Sequence, residues 1–247
     1  MRIENSFIPV DGVGEKTERS LWERGVTHWD EFEPSLVGPT TADRIEGFIQ
    51  QARPRLQAGD GRFFGQAFPS AEAWRLYENF RDQAAFFDIE TTGLSQTRDR
   101  VTTISVYRAG ETETLVRGRD LTPERVRALL DAPLVVSFNG ASFDVPFVER
   151  AFDISLDTAH LDLLYPCRSV GLTGGLKAIE ADVGIERGRP DLSGRDAVRL
   201  WHRYERRDDE AALETLVSYN REDTVNLRVV ADSVAERLHT KVGDGLL

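Results

Sequence analysis

Apolar positions in this chain fall at helical spacing up to about residue 83, and then at strand spacing into the middle of the sequence. In the first stretch, Glu15 to Arg24 reads as a helix stopped by Gly25. Thr27 and Thr40 each stand three residues before an acid, Asp30 and Asp43, the signature of a helix start. A helix over 41–58 follows, and Ser70 caps another whose Trp74, Tyr77 and Phe80 share a face. From residue 84 the texture changes. Ala84 to Ile89 reads as a buried strand, and Val101–Tyr107 and Glu111–Val116 as a strand pair turning at Ala109-Gly110. Pro123 opens a helix to about 131, and Pro133–Phe138 is a fourth strand ended by Asn139-Gly140. A helix starts near Ser142, and a short fifth strand falls around 158–164. The remainder reads as helical, with a capping box at Ser193-Gly194-Arg195-Asp196. Three strands followed by alternating helix and strand predict an α/β fold, with a mixed five-stranded sheet flanked by helices. The boundaries are a small helical N-terminal region over 1–83 and an α/β domain over 84–240.

Composition narrows the picture. A chain of 247 residues with 40% hydrophobic residues can bury a substantial core. No apolar run approaches the roughly 20 residues of a membrane-spanning helix, and the first 25 residues lack the apolar stretch of a secretion signal. A single cysteine, Cys167, rules out an internal disulfide and a cysteine-based zinc cluster, which makes the cytoplasm the expected location. The net charge of −11 opposes phosphate backbones as a whole. The basic residues, however, are arginine apart from Lys16, Lys177 and Lys241, and arginine is the better bidentate phosphate ligand. Acid-rich, lysine-poor composition fits either a salt-rich cytoplasm or GC-rich coding. There is no internal repeat, and no Gly-x-x-x-x-Gly-Lys-Ser/Thr motif, so no ATP-driven step is expected.

The candidate chemistry lies in three short stretches. Asp88 and Glu90, at i and i+2 of an apolar strand, project to one face. Asp144 follows a strand and a turn. Tyr219 and Asp223, at i and i+4 of a helix, again share a face. Four carboxylates brought together repel one another, and at least one would have to take up a proton. Two divalent cations remove that conflict by using the acids as oxygen ligands. In two-metal sites the ions stand roughly 3.5–4 Å apart and clamp the attacking and leaving oxygens of a phosphodiester. Asp88, Glu90, Asp144 and Asp223 are therefore the expected ligands of two Mg²⁺ or Mn²⁺ ions. Tyr219 is expected to aim the attacking water. The pattern points to a nuclease.

Asp88-Ile89-Glu90-Thr91-Thr92-Gly93-Leu94, the Asn-x-x-x-Phe-Asp run from Asn139 to Asp144, and Tyr219-x-x-x-Asp223 resemble the three exonuclease motifs of the DEDD (DnaQ-like) superfamily. That superfamily has a ribonuclease H-like fold. The tyrosine resembles the DEDDy branch; in the histidine branch the His stands five residues before the last Asp, where this chain has Ser218. The run Ala159 to Leu164, with Gly174 to Glu180 and Asp191 to Gly194, is more narrowly similar to the YprB-like proteins. The resemblance spans about residues 84 to 235. It implies two-metal 3′→5′ exonuclease action on DNA or RNA with a free 3′ end, releasing 5′-monophosphates. Thr91, Asn139 and Phe143 become candidate nucleic-acid contacts. An endonuclease could use the same site. A non-catalytic nucleic-acid-binding scaffold is the rival from another class, and the presence of all four acids and the tyrosine argues against it.

Other residues carry weaker signals. Gly12, Gly14 and Lys16 resemble a helix-hairpin-helix element, in which glycines let backbone N–H groups approach a phosphate. Arg117/Arg119, Arg187/Arg189 and Arg203/Arg206/Arg207 are candidate backbone contacts. Asp162 reads as a structural or supporting residue rather than a fifth ligand, and His160 as a satisfied, partly buried histidine. Glu222 is turned about 100° from Asp223 on a helix and is expected in solvent. Phe138 and Phe143 read as core, and either could stack under a terminal base.

Overall fold

The structure is a computed structural model that describes residues 1–247. Its N-terminal part carries α1 (Glu15–Glu23), α2 (Pro39–Gln57), α3 (Gly61–Ala67) and α4 (Tyr77–Phe80). The expected helix at Ser70 is instead a 3₁₀ helix over Ser70–Leu76 that runs into α4. The three-residue spacing of Trp74, Tyr77 and Phe80 is the 3₁₀ period, and all three side chains are buried. At Thr27 there is only a three-residue 3₁₀ turn, Trp29–Glu31, whose Glu31 accepts from the Thr27 and His28 amides. Gly38-Pro39 opens α2, so Thr40 lies inside it, and its apolar stripe is Ala42, Ile45, Ile49 and Ala52.

Five strands follow: β1 (Ala85–Thr91), β2 (Val101–Arg108), β3 (Glu111–Val116), β4 (Leu134–Ser137) and β5 (Ala159–Asp162). Between and after them lie α5 (Pro123–Leu130), α6 (Asp144–Phe152), α7 (Leu164–Ser169), α8 (Leu176–Asp182), α9 (Gly194–Arg207) and α10 (Glu210–Gly243). The strand order is β3-β2-β1-β4-β5. β1 pairs antiparallel with β2 and parallel with β4, while β2/β3 is antiparallel and β4/β5 parallel. This is the mixed five-stranded, ribonuclease H-like sheet expected.

Alternation along the central strands sorts the sheet into two faces. Ala85, Phe87, Ile89 and Val135 join Val126, Phe147 and Val148 of α5 and α6 in one buried cluster. Phe86, Leu134 and Val136 join Leu227, Val230 and Val234 of α10 on the other face. Asp88 and Glu90, in phase with Phe86, are thereby directed to the face covered by α10.

The second cluster also contains Ile3, Phe7, Ile45, Phe64, Trp74 and Tyr77, so the N-terminal helices and the sheet share one core. A Cβ on Gly61 would lie 1.6 Å from the Pro133 carbonyl oxygen, a measure of how closely α3 approaches the start of β4. No helix is long and apolar enough to cross a membrane.

Candidate active site

The site forms where the C-terminal end of β1 passes under the middle of α10. The two elements bring one oxygen each from Asp88, Glu90 and Asp223 within 4.8 Å of one another. The side chains are sheltered, with Glu90 9% and Asp223 7% exposed. Asp144, the first residue of α6, stands beside this trio. Its Oδ1 accepts the Ile89 backbone N–H at 3.2 Å, and it is 4% exposed. Gly140 is what lets this loop close: a Cβ there would lie 2.0 Å from Ser137 Oγ and 3.4 Å from Asp144 Oδ2.

Burial of so much negative charge disfavours ionisation. It pushes the Asp88 carboxyl up to about 7, against the Asn220 hydrogen bond and the Arg187 charge, which favour the carboxylate. Glu90 is held well above the ordinary carboxyl range by burial, then by Asp88 and Asp144. Asp144 is raised by burial, then by Asp88. Such a donor set suits a divalent cation: hard oxygen ligands converge, and the single guanidinium of Arg187 cannot balance all four once they are ionised.

Tyr219 lies one turn before Asp223 and is 7% exposed. Burial, followed by the charges of Glu90 and Asp88, pushes its phenol up to about 12. The phenol therefore stays protonated at neutral pH and can donate a hydrogen bond.

Sequence reasoning missed two residues that shape this site, Asn220 and Glu180, and gave a third, Arg187, only as a candidate backbone contact. Asn220 is fully buried and donates from Nδ2 to Asp88 Oδ2 at 2.7 Å. Glu180 is also fully buried, and Arg187 joins it to Asp223 through ion pairs at both ends of the guanidinium. The signal for Asn220 was available: it stands on the buried stripe of α10, with Leu216, Asp223, Thr224 and Leu227. Arg187, a candidate nucleic-acid backbone contact, is 5% exposed. Glu222 is not simply in solvent, since its Oε1 accepts the Gly188 N–H at 2.6 Å and tethers the α8–α9 loop.

The remaining candidates divide. Asp162 accepts backbone N–H groups of Asn139, Ala141 and Leu164 at 2.7, 3.0 and 3.0 Å, which is a structural role in shaping the turn before Asp144. Asn139 adopts a left-handed φ of 61° and its Oδ1 accepts the Ser142 hydroxyl. His160 Nε2 lies 2.8 Å from Ser137 Oγ, a satisfied histidine. Phe143 and Thr91 line a groove beside Glu90 with Leu94, Arg195 and Arg199. Leu94 is 85% exposed there. Gly12, with φ +87°, and Gly14, which caps α1, are preceded by a three-residue 3₁₀ turn at Ile3–Asn5 rather than by a helix. Lys16 is exposed in the first turn of α1. Of the arginine groups, Arg119 pairs with Glu210 and Arg203 with Asp209, both at 2.6 Å.

A family model described as the RNase_H superfamily (RNase_H_2) matches residues 85–235. Among solved structures, one described as "apo form of the nuclease" is 22% identical, with a TM-score of 0.48 over 68% of this chain and 77% of that one. The family B DNA polymerase from the hyperthermophilic archaeon Pyrobaculum calidifontis is 17% identical, with a TM-score of 0.46 over 65% of this chain and 29% of the polymerase. A search of curated proteins finds no match.

Proposed function

The chain belongs to the RNase H superfamily, and from that premise we propose that it is a metal-dependent 3′→5′ exonuclease of the tyrosine (DEDDy) branch. The observation that carries this reading is the convergence of Asp88, Glu90 and Asp223 oxygens within 4.8 Å on the face where Tyr219 lies. In this reading Asp88, Glu90, Asp144 and Asp223 hold two Mg²⁺ or Mn²⁺ ions. When bound, such ions acidify the attacking water and stabilise the departing 3′-oxygen of a phosphodiester.

The chain's own residues do the positioning. Asn220 fixes Asp88 through a 2.7 Å hydrogen bond. Tyr219, protonated at neutral pH, orients the attacking water by donation and does not abstract its proton. The groove lined by Glu90, Phe143, Leu94, Arg195 and Arg199 suits the 3′-terminal nucleotides. A base stacked on Phe143 would contribute about 1–3 kcal/mol without regard to sequence. Residues 84–240 form the catalytic unit, with residues 1–83 as a helical support for it.

The test is cleavage of 5′-labelled and 3′-labelled single-stranded DNA and RNA with Mg²⁺ or Mn²⁺, wild type beside Asp88→Ala. A metal-dependent ladder from the 3′ end, absent in the variant, supports the exonuclease and names its sugar preference. Internal products would make it an endonuclease. A non-catalytic scaffold has one observation in its favour, the Arg187–Asp223 ion pair, which occupies an oxygen of a proposed ligand. Absence of cleavage at low and high salt alike would favour that reading.

A further inference from the structure

Two cations stand in the site without a part in the chemistry proposed above. Arg187, in the loop between α8 and α9, places its Nε 2.7 Å from Glu180 Oε2. Glu180 is held in turn by Asn226 Nδ2 at 2.9 Å. The far end of the same guanidinium meets Asp223 and the group also lies against the Tyr219 phenol, yet Nη1, like Nε, is buried without a well-aligned acceptor. A buried donor without an acceptor is unfavourable, and an arriving acceptor removes that cost. Lys177, in the first turn of α8, brings its Nζ to 5.4 Å from the centroid of the Tyr219 ring. The Arg187 Cζ is 5.6 Å from that same centroid.

Two cations drawn to one ring repel each other, and an anion between them relieves the repulsion. Charge counting points the same way. Arg187 balances Glu180, and two divalent cations would balance Asp88, Glu90, Asp144 and Asp223. Asp191 and Glu222 stand near Lys177 but form no ion pair with its Nζ, which reaches only the Pro190 carbonyl oxygen at 3.4 Å, so its charge remains to meet the single negative charge of a phosphodiester. We propose that Arg187 and Lys177 form a phosphate-binding subsite beside Tyr219, with Glu180 anchoring the guanidinium so that it is not drawn wholly onto Asp223. That the phosphate belongs to a nucleic-acid backbone rests on the nuclease reading above. Arg187 Nη1 would donate to a phosphate oxygen, and the Lys177 ammonium would approach the same group as a point charge.

The experiment is calorimetric titration of the full chain with inorganic phosphate and with thymidine 5′-monophosphate in the presence of Mn²⁺. Wild type, Lys177→Gln, Arg187→Gln and Arg187→Lys are compared, each checked by thermal unfolding. Loss of either cation should weaken binding of both anions about tenfold, the value of one charge-assisted hydrogen bond. Arg187→Lys should recover part of that loss, and Lys177→Gln should bind Mn²⁺ alone at least as tightly as wild type. If Arg187→Gln fails to fold, Lys177→Gln carries the test, because its side chain is only half-buried. Unchanged anion affinity in Lys177→Gln, or no anion binding by the wild type, overturns the subsite. Anion binding that needs both cations, in a protein that cuts no oligonucleotide, would retain the subsite and remove the nuclease reading.

Discussion

The Asn220 amide binds both the side chain and the backbone of Asp88: Nδ2 lies 2.7 Å from Oδ2 and 3.2 Å from the Asp88 carbonyl oxygen. The other end of the amide is fixed as well, because Oδ1 accepts the Thr103 hydroxyl of β2 at 2.9 Å. One α10 residue thus reads the positions of two strands and sets the direction in which Asp88 presents its free oxygen.

Asn220→Ala should therefore weaken Mn²⁺ binding and cleavage together, by about 10–100-fold, the usual cost of losing the partner of a metal ligand. Metal titration followed by calorimetry, beside a cleavage assay, checks this. Unchanged metal affinity would mean that Asp88 needs no orienting partner.

Without metal, the acid cluster should destabilise the fold. The Asp88 carboxyl has a folded-state value of about 7, above its ordinary 3.8, so between these two pH values the folded state binds more protons than the unfolded chain. By linkage, stability contributed by this group is present at low pH and is lost as pH rises through about 7. In EDTA, raising the pH from 5.5 to 8 should lower the melting temperature of wild type more than that of Asp88→Asn. Asp88→Asn should also be the more stable of the two at pH 8, while being inactive. Parallel pH dependence in the two proteins would show that Asp88 is already ionised in the metal-free fold.

What was legible in the sequence follows local periodicity. Period-two alternation placed Asp88 and Glu90 on one face of β1, and the four-residue spacing of Tyr219 and Asp223 placed them on one face of α10. Asp162 and His160 were also readable, since a carboxylate at a strand end and a histidine in a short strand usually find local partners. Glu180 and Arg187 were not, because each finds a partner on the distant helix α10, Asn226 for Glu180 and Asp223 for Arg187. The same limit applies to Glu222, whose partner Gly188 lies 34 residues away. The Ser70–Phe80 stretch misled for a different reason: a spacing of three fits an α-helical stripe and a 3₁₀ helix equally well. Shared use of one core by residues 1–83 and the sheet has no local signature at all.

Tyr219→Phe keeps the ring against Arg187 and Lys177 and removes only the hydroxyl. It should slow turnover by about 10²-fold, the order of the loss when an attacking group is misaligned. Asp223→Asn should lose far more, with Mn²⁺ binding impaired. Equal losses, or impaired Mn²⁺ binding in Tyr219→Phe, would show that the phenol does more than aim water.

The N-terminal helices should prove inseparable from the catalytic unit. Arg75 and Glu18 are each 1% exposed and pair at 3.0 Å. Glu18 Oε1 also accepts the Ser6 hydroxyl and the Phe7 N–H, both at 2.7 Å. Removing one partner of a buried pair leaves the other charge uncompensated, so Arg75→Ala should cost about 3–5 kcal/mol. At roughly 2–4 °C per kcal/mol for a chain of this size, the melting temperature should fall by about 6–20 °C. A truncation beginning at residue 84 would strip Phe64, Tyr77 and Phe80 from the cluster that holds Phe86 and the α10 residues Leu227, Val230 and Val234. It should be recovered unfolded or aggregated. A soluble, cooperatively melting 84–240 fragment with full activity would show instead that the shared core is dispensable and that residues 1–83 dock as a separate unit.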